Sequence, residues 1–243
     1  MPSKFAAQLG EPSYVWRAGQ AFRWRLIVEW GRLQTAATVL DHGTGVGLYL
    51  GQMSALPNVQ LAVGTEYEFE RAQQAAQRGH VVQADERLPF PDNTFDAVLS
   101  HEVLEHVGDD RLAVQEIVRV LRAGGRAVIF VPNRLWLFET HGIYWRGEYH
   151  FGNIPLVNYL PTPLRNRLAP HVRAYTVRSL RRLFDGLPVR VVHHSQVFPA
   201  FDNVIARRPL VGRLLRASAR FAERTPARII GLSHLLVVEK VAP

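Results

Sequence analysis

Val39 and Leu40 lead into Asp41 and His42 and then into three alternating glycines, Gly43, Gly45 and Gly47, with a helical apolar pattern over Val46–Leu56. A short apolar run that ends this way reads as a strand turning tightly into a helix. Glycines at such a turn remove the Cβ atoms that would keep backbone N–H groups from a ligand, and they accept positive φ without steric cost. The dinucleotide fingerprint G-x-G-x-x-G would place its third glycine at position 48. Here position 48 is Leu48 and the glycine falls one residue early, at Gly47, which favours a smaller adenosyl ligand over NAD.

The rest of the first half repeats the unit. Strands are expected at Thr38–His42, Val59–Thr65, His80–Ala84, Phe95–Ser100 and Gly125–Val131, each a short apolar run bounded by Gly, Pro, Asp or Asn. Helical patterns lie between them at Val46–Leu56, Phe69–Arg78 and Asp109–Leu121, the last stopped by Gly124-Gly125. Alternating strand and helix predicts an α/β fold, a doubly wound parallel sheet with helices on both faces and ligands beyond the carboxyl ends of its strands. A helix over Thr176–Phe184, strands Val189–His194 and His234–Val241 and a basic helix over Leu210–Arg224 follow. Upstream, Tyr14–Leu33 reads as an amphipathic helix or pair of helices that could cover the site. The segment Asn133–His171, with many aromatics, four prolines and little periodicity, reads as an irregular substrate lid.

Composition bounds the function. The chain has 243 residues, 47% of them hydrophobic, enough for one packed α/β domain. Its expected divisions are an N-terminal helical cap (1–36), a cofactor-binding core (37–132), a lid (133–172) and C-terminal strands and basic helices (173–243). There is no cysteine, so disulfides, thiolate metal sites and cysteine nucleophiles are excluded. No run approaches a membrane span and Met1–Leu9 lacks a secretory apolar region, which points to the cytoplasm. Residues 1–160 carry 14 basic against 17 acidic side chains, whereas residues 161–243 carry 15 against four. The C-terminal third is therefore basic, and 27 of the 29 basic residues are arginine.

Further acids follow the strands. Glu66 stands 19 residues beyond Gly47 at the end of the second strand, where it can accept hydrogen bonds from ribose hydroxyls. Asp85, with Glu86 beside it, follows the third strand and can accept from an adenine amino group. Asp41 can brace the glycine turn or meet a ligand's amino group.

These residues, together with Leu88-Pro89-Phe90-Pro91-Asp92-Asn93-Thr94-Phe95-Asp96, Glu102-Val103-Leu104-Glu105-His106-Val107 and Arg119-Val120-Leu121-Arg122-Ala123-Gly124-Gly125, resemble the class I S-adenosylmethionine-dependent methyltransferases, in particular the ubiquinone-biosynthesis-like subgroup. The resemblance covers about residues 37–133. It implies a Rossmann-like seven-stranded sheet with an antiparallel last strand and S-adenosylmethionine as cofactor. The cofactor's methionine end would lie over Gly43 to Gly47 and near Ser100 and His101. His42 departs from the smaller residues common in that loop and is expected near the cofactor's carboxylate.

Phe138-Glu139-Thr140-His141 resembles a Glu-x-His element of a bacterial subset. An imidazole fixed by a carboxylate suits proton removal from a hydroxyl, so His141 with Glu139 is the expected catalytic pair. The competing role is a structural bond that holds the lid. His106 is expected to be structural, and His150, His193 and His194 are given no role. O-methylation of a small, lipid-linked or sugar-linked metabolite is expected. The alternatives are C-methylation of a quinone or isoprenoid-like acceptor and a catalytically silent cofactor-binding protein.

Nucleic acid is disfavoured: the Asn/Asp-Pro-Pro-aromatic element of amino-methylating enzymes is absent, as is a cysteine for cytosine C5 chemistry. No metal is expected, because of the groups gathered by catechol-type enzymes only Asn133 is in place. Leu210–Arg224 is expected to pack its apolar face on the sheet, and peripheral membrane contact is the disfavoured reading.

Overall fold

The computed structural model describes residues 15–242. The expectations placed on Met1–Leu9 and on Tyr14 lie outside the described residues. Helix α1 (Ala18–Trp30) precedes the alternating series β1 (Thr38–His42), α2 (Leu48–Ser54), β2 (Leu61–Glu66), α3 (Phe69–Ala75), β3 (His80–Gln83), β4 (Phe95–His101), α4 (Asp110–Val120) and β5 (Leu121–Pro132). The lid region is more regular than its pattern suggests: β6 (Phe138–Glu139), β7 (Ile143–Trp145), β8 (Glu148–His150) and β9 (Ile154–Pro155) form two small antiparallel pairs, followed by α5 (Thr162–Leu168). Strands this short leave no period to read. Then come α6 (Val177–Arg182), β10 (Val189–Val197), α7 (Asp202–Arg207), α8 (Pro209–Ala222) and β11 (Ser233–Lys240).

Seven strands make one sheet in the order β10-β11-β5-β4-β1-β2-β3, with β11 antiparallel to both neighbours and the remaining neighbours parallel. Successive side chains of a strand face opposite ways, and the core divides accordingly. Leu40, Val98, Ile129, Leu236 and Val238 pack under Val114 and Ile117 of α4 and Leu180 of α6. Val39, Leu99, Val128, Phe130, Leu235 and Val237 pack under Ile27 of α1 and Leu50 and Met53 of α2. The Asp109 carboxylate accepts the Leu112 N–H and starts α4, as its sequence position predicts. That helix ends at Val120, before Gly124, which instead sits at φ +80 inside the long β5.

The pairing of β1 with β2 and β4 sets His42 beside Thr65 and Ser100, so the carboxyl ends of three strands finish level. The strand order reverses between β1 and β4, where a crevice opens.

Helix α8 departs from expectation. Its buried residues are Gly212 and Ala219, while Leu210, Leu214 and Phe221 point outward at 81%, 69% and 72% exposure. The two small residues occupy the inner face because the helix lies close on α7: a Cβ on Gly212 would stand 2.6 Å from the Ile205 backbone nitrogen. The apolar face is therefore turned away from the sheet.

Candidate active site

A cavity of about 1120 Å³ opens over the carboxyl ends of β1, β2 and β4. Its floor is the glycine turn, with Gly43, Gly45 and Gly47 at φ +67, +58 and +81. Close packing as well as positive φ requires two of these glycines: a Cβ on Gly43 would lie 2.5 Å from Val103, and one on Gly47 would lie 3.0 Å from the Ala75 backbone. Glu66 ties the turn to β2. One of its oxygens accepts the Gly45 N–H at 2.8 Å, and the other accepts those of Tyr67 at 3.0 Å and Glu68 at 3.1 Å. Burial raises its carboxyl above the ordinary range, against the opposing pull of those bonds and of Arg71.

Asp41 is buried and accepts the Thr44 hydroxyl at 2.5 Å. Burial, opposed by that hydroxyl and a backbone bond and assisted by the charge of Glu66, pushes its carboxyl up to about 7. His42 bonds through Nδ1 with the Ser100 hydroxyl at 3.1 Å, and burial lowers its pKa to about 4. Ser100 is fully buried and acts on the wall through His42, since His42 and His101 line the cavity while Ser100 does not. Asp85 and Glu86 lie at the rim. Their carboxylates already accept backbone N–H groups, of Arg87 at 2.9 Å and of Gly108 at 2.7 Å respectively.

Sequence reasoning missed a cluster beside this floor. Arg23 of α1 donates to His101 Nε2 at 2.7 Å, to Glu102 at 2.9 Å and to the Ser233 hydroxyl at 3.0 Å. Because guanidinium can only donate, His101 Nε2 accepts and the ring is neutral. Burial, reinforced by Arg23, holds its pKa down at about 3. Tyr49 stands over His101 with ring centroids 4.9 Å apart, and its buried hydroxyl meets no hydrogen-bond partner among the described residues. Partners so far apart in sequence leave no local pattern; only the expected helical cover over Tyr14–Leu33 pointed to this region, and α1 lacks the clear amphipathic segregation expected of it.

At the other end of the cavity stand Trp136, Phe138, Thr140, His141 and Phe151 from the lid region, and His106 from the turn after β4. Glu139 is buried under them. It faces His141 Nδ1 at 3.2 Å and takes Arg165 at 2.6 Å on its other oxygen. Burial alone would raise its carboxyl, but His141 and Arg165 bring it down to about 2. An ionised carboxylate only accepts, so Nδ1 carries a proton, and in the neutral ring the lone pair is on Nε2. The His141 carbonyl is itself held by the Tyr149 hydroxyl at 2.5 Å and by His171 Nε2 at 3.1 Å.

Residues 40–129 match the family described as Methyltransferase domain. This segment is similar to methyltransferase domains. A probable S-adenosylmethionine-dependent methyltransferase of Mycobacterium tuberculosis is 33% identical over 103 residues, which cover 42% of this chain and 38% of that protein. A ubiquinone/menaquinone biosynthesis C-methyltransferase of Cupriavidus necator is 32% identical over 88 residues, 33% of this chain and 36% of that protein. The match thus spans under two fifths of the length of these curated relatives. An S-adenosylmethionine-dependent methyltransferase structure from Mesorhizobium loti superposes with TM-score 0.63 over 92% of this chain and 98% of that one; at 16% identity it bears on the fold.

The likeness to methyltransferases implies S-adenosylmethionine as cofactor, and the cavity fits it. Glu66 retains lone pairs for ribose hydroxyls, and among the described residues Asp41 is a buried carboxyl short of a cation and the Tyr49 hydroxyl lacks a partner that a ligand's polar end could supply. Asp85 and Glu86 also line the cavity. Among the described residues no helix is long and apolar enough to cross a membrane.

Proposed function

We propose that this chain methylates a hydroxyl oxygen of a small, lipid-linked or sugar-linked acceptor. Bound S-adenosylmethionine supplies an electrophilic methyl group on a sulfonium sulfur. Asp41, Glu66 and the turn from Gly43 to Gly47 hold it, with His42 and His101 as neutral walls that add no competing positive charge. Residues 133–172 cover the acceptor end as a lid. The observation that carries the hydroxyl reading is His141: its Nδ1–H is committed to Glu139, so Nε2 presents a lone pair to the cavity beside the aromatic walls. Carbon methylation of a preactivated ring would ask less of such a group. Holding the acceptor oxygen at near-attack distance supplies much of the rate.

The acceptor class draws support from α8. The α7–α8 pair contributes Asp202, Val204 and Arg220 to the cavity wall, while the outer face of α8 carries Leu210, Leu214 and Phe221 among the exposed arginines 207, 208, 213 and 224. A helix with that outer face suits the interface of an anionic bilayer, next to the cavity a lipid-linked acceptor would enter. The test is incubation with methyl-deuterated S-adenosylmethionine and a lipid extract. A hydroxylated lipid that gains a labelled O-methyl ether supports the reading; label on a ring carbon overturns it in favour of C-methylation, and binding without transfer to any acceptor favours the silent protein.

A further inference from the structure

Beneath the acceptor end lies a group that the proposed reaction does not use. Glu105 is 1% exposed, and neither of its carboxylate oxygens meets a hydrogen-bond donor among the described residues. Such a carboxylate is costly to bury unless something satisfies it. Its position is fixed from several sides: the Arg173 N–H bonds the Glu105 carbonyl at 3.0 Å, and the Tyr175 hydroxyl bonds the Leu104 carbonyl at 2.9 Å. His106, next in sequence, stands with its ring 5.1 Å from that of His141, and its Nδ1 is buried with no hydrogen-bond partner among the described residues. One donor atom each of Glu105, His106 and His141 lies within 4.8 Å of the other two.

We propose that Glu105, His106 and His141 form a binding site for a divalent transition-metal cation of the zinc class. Two imidazoles and a carboxylate are a donor set suited to such an ion, and three protein ligands leave a position open for another oxygen. The ligands of a tetrahedral ion bound at about 2.1 Å stand about 3.4 Å apart, so the present spread, within 4.8 Å, closes by about 1.4 Å at most. The surroundings match a ligand environment in a second respect. His141 gives its Nδ1–H to Glu139, which is held in turn by Arg165, and this is how a metal-bound imidazole is oriented and its other nitrogen made more basic. The absence of acids where catechol-type enzymes hold their metal does not bear on this cluster, which draws on the turn after β4 and the segment that follows β6 instead.

The site stands on these side chains alone; its use rests on the methyl-transfer reading. His106 and His141 line the cavity, so the open position faces the acceptor end. There the cation holds the acceptor hydroxyl and increases its acidity, with the proton passing to water. His141 then acts on the hydroxyl as a ligand of the cation.

Isothermal titration of the full chain with Zn²⁺, paired with visible absorption of the Co²⁺-substituted protein, tests the site, and titration with S-adenosylhomocysteine runs alongside as a separate readout. The expected result is one tight Zn²⁺ per chain and intense Co²⁺ bands, with binding weakened at least about tenfold in both Glu105→Gln and His141→Ala while S-adenosylhomocysteine still binds. If Glu105→Gln fails to fold, His141→Ala decides. Absence of stoichiometric binding, or binding and bands unchanged in the folded variants, overturns the metal site whether or not S-adenosylhomocysteine binds. Loss of S-adenosylhomocysteine binding in the wild type overturns the methyl-transfer reading and leaves the metal result to stand on its own.

Discussion

Glu139 meets His141 at both its backbone N–H, at 3.0 Å, and its Nδ1, at 3.2 Å. One carboxylate oxygen thereby fixes the position of the residue and the tautomer of its ring. Replacing His141 by Ala is expected to lower methylation by about 100-fold or more and to leave S-adenosylhomocysteine affinity unchanged, because the ring lies at the acceptor end. Single-turnover assays and calorimetry check this together; undiminished turnover would remove His141 from the reaction.

Asp41 gives a pH dependence of defined sign. Its folded pKa of about 7 stands above the ordinary value of 3.8, so the folded chain binds a proton that the unfolded chain has released. Its contribution to stability is full below about 4 and is lost as pH rises toward 7, up to about 4 kcal/mol as an upper bound. Asp41→Asn is therefore expected to stabilise the fold above pH 7 while weakening cofactor binding. S-adenosylhomocysteine affinity in the wild type should rise as pH rises through about 7, with a proton released on binding. Identical binding heats in buffers of different ionisation enthalpy at pH 6 would contradict the assignment.

Gly43 combines positive φ with contact against Val103. Gly43→Ala should cost about 1–3 kcal/mol in urea unfolding. Adding Val103→Ala should recover only the steric part, since the left-handed conformation stays unfavourable. Full recovery in the double variant would place all the cost in packing.

The outer face of α8 predicts vesicle binding. The full chain is expected to sediment with phosphatidylglycerol-containing vesicles and not with pure phosphatidylcholine, and Leu210, Leu214 and Phe221 changed together to Ser should weaken that binding at least about tenfold. Sedimentation independent of anionic lipid, or equal in the triple variant, would count against membrane contact.

Period and punctuation made the sheet legible. Strands β1 to β5 and their helices follow from short apolar runs ended by Gly, Pro, Asp or Asn, and Glu66 from its place at a strand end. The glycine turn was legible in the sequence, but its packing against Val103 and Ala75 is a contact between distant segments that no local pattern announces. Glu105 was hidden in the same way: in the sequence it is one acid in the run Glu102-Val103-Leu104-Glu105-His106, and only the fold brings His141 across to it. The face of α8 was misread because amphipathicity shows that two faces differ without showing which one turns inward.

Calorimetric titration with S-adenosylhomocysteine tests the cofactor cavity most directly. The wild-type chain should bind one molecule, and Glu66→Ala, folded by circular dichroism, should bind at least about tenfold more weakly through loss of the carboxylate that holds the turn and that we propose holds the ribose. No binding by the wild type, or equal binding by the folded variant, would contradict the assignment of this cavity to S-adenosylmethionine.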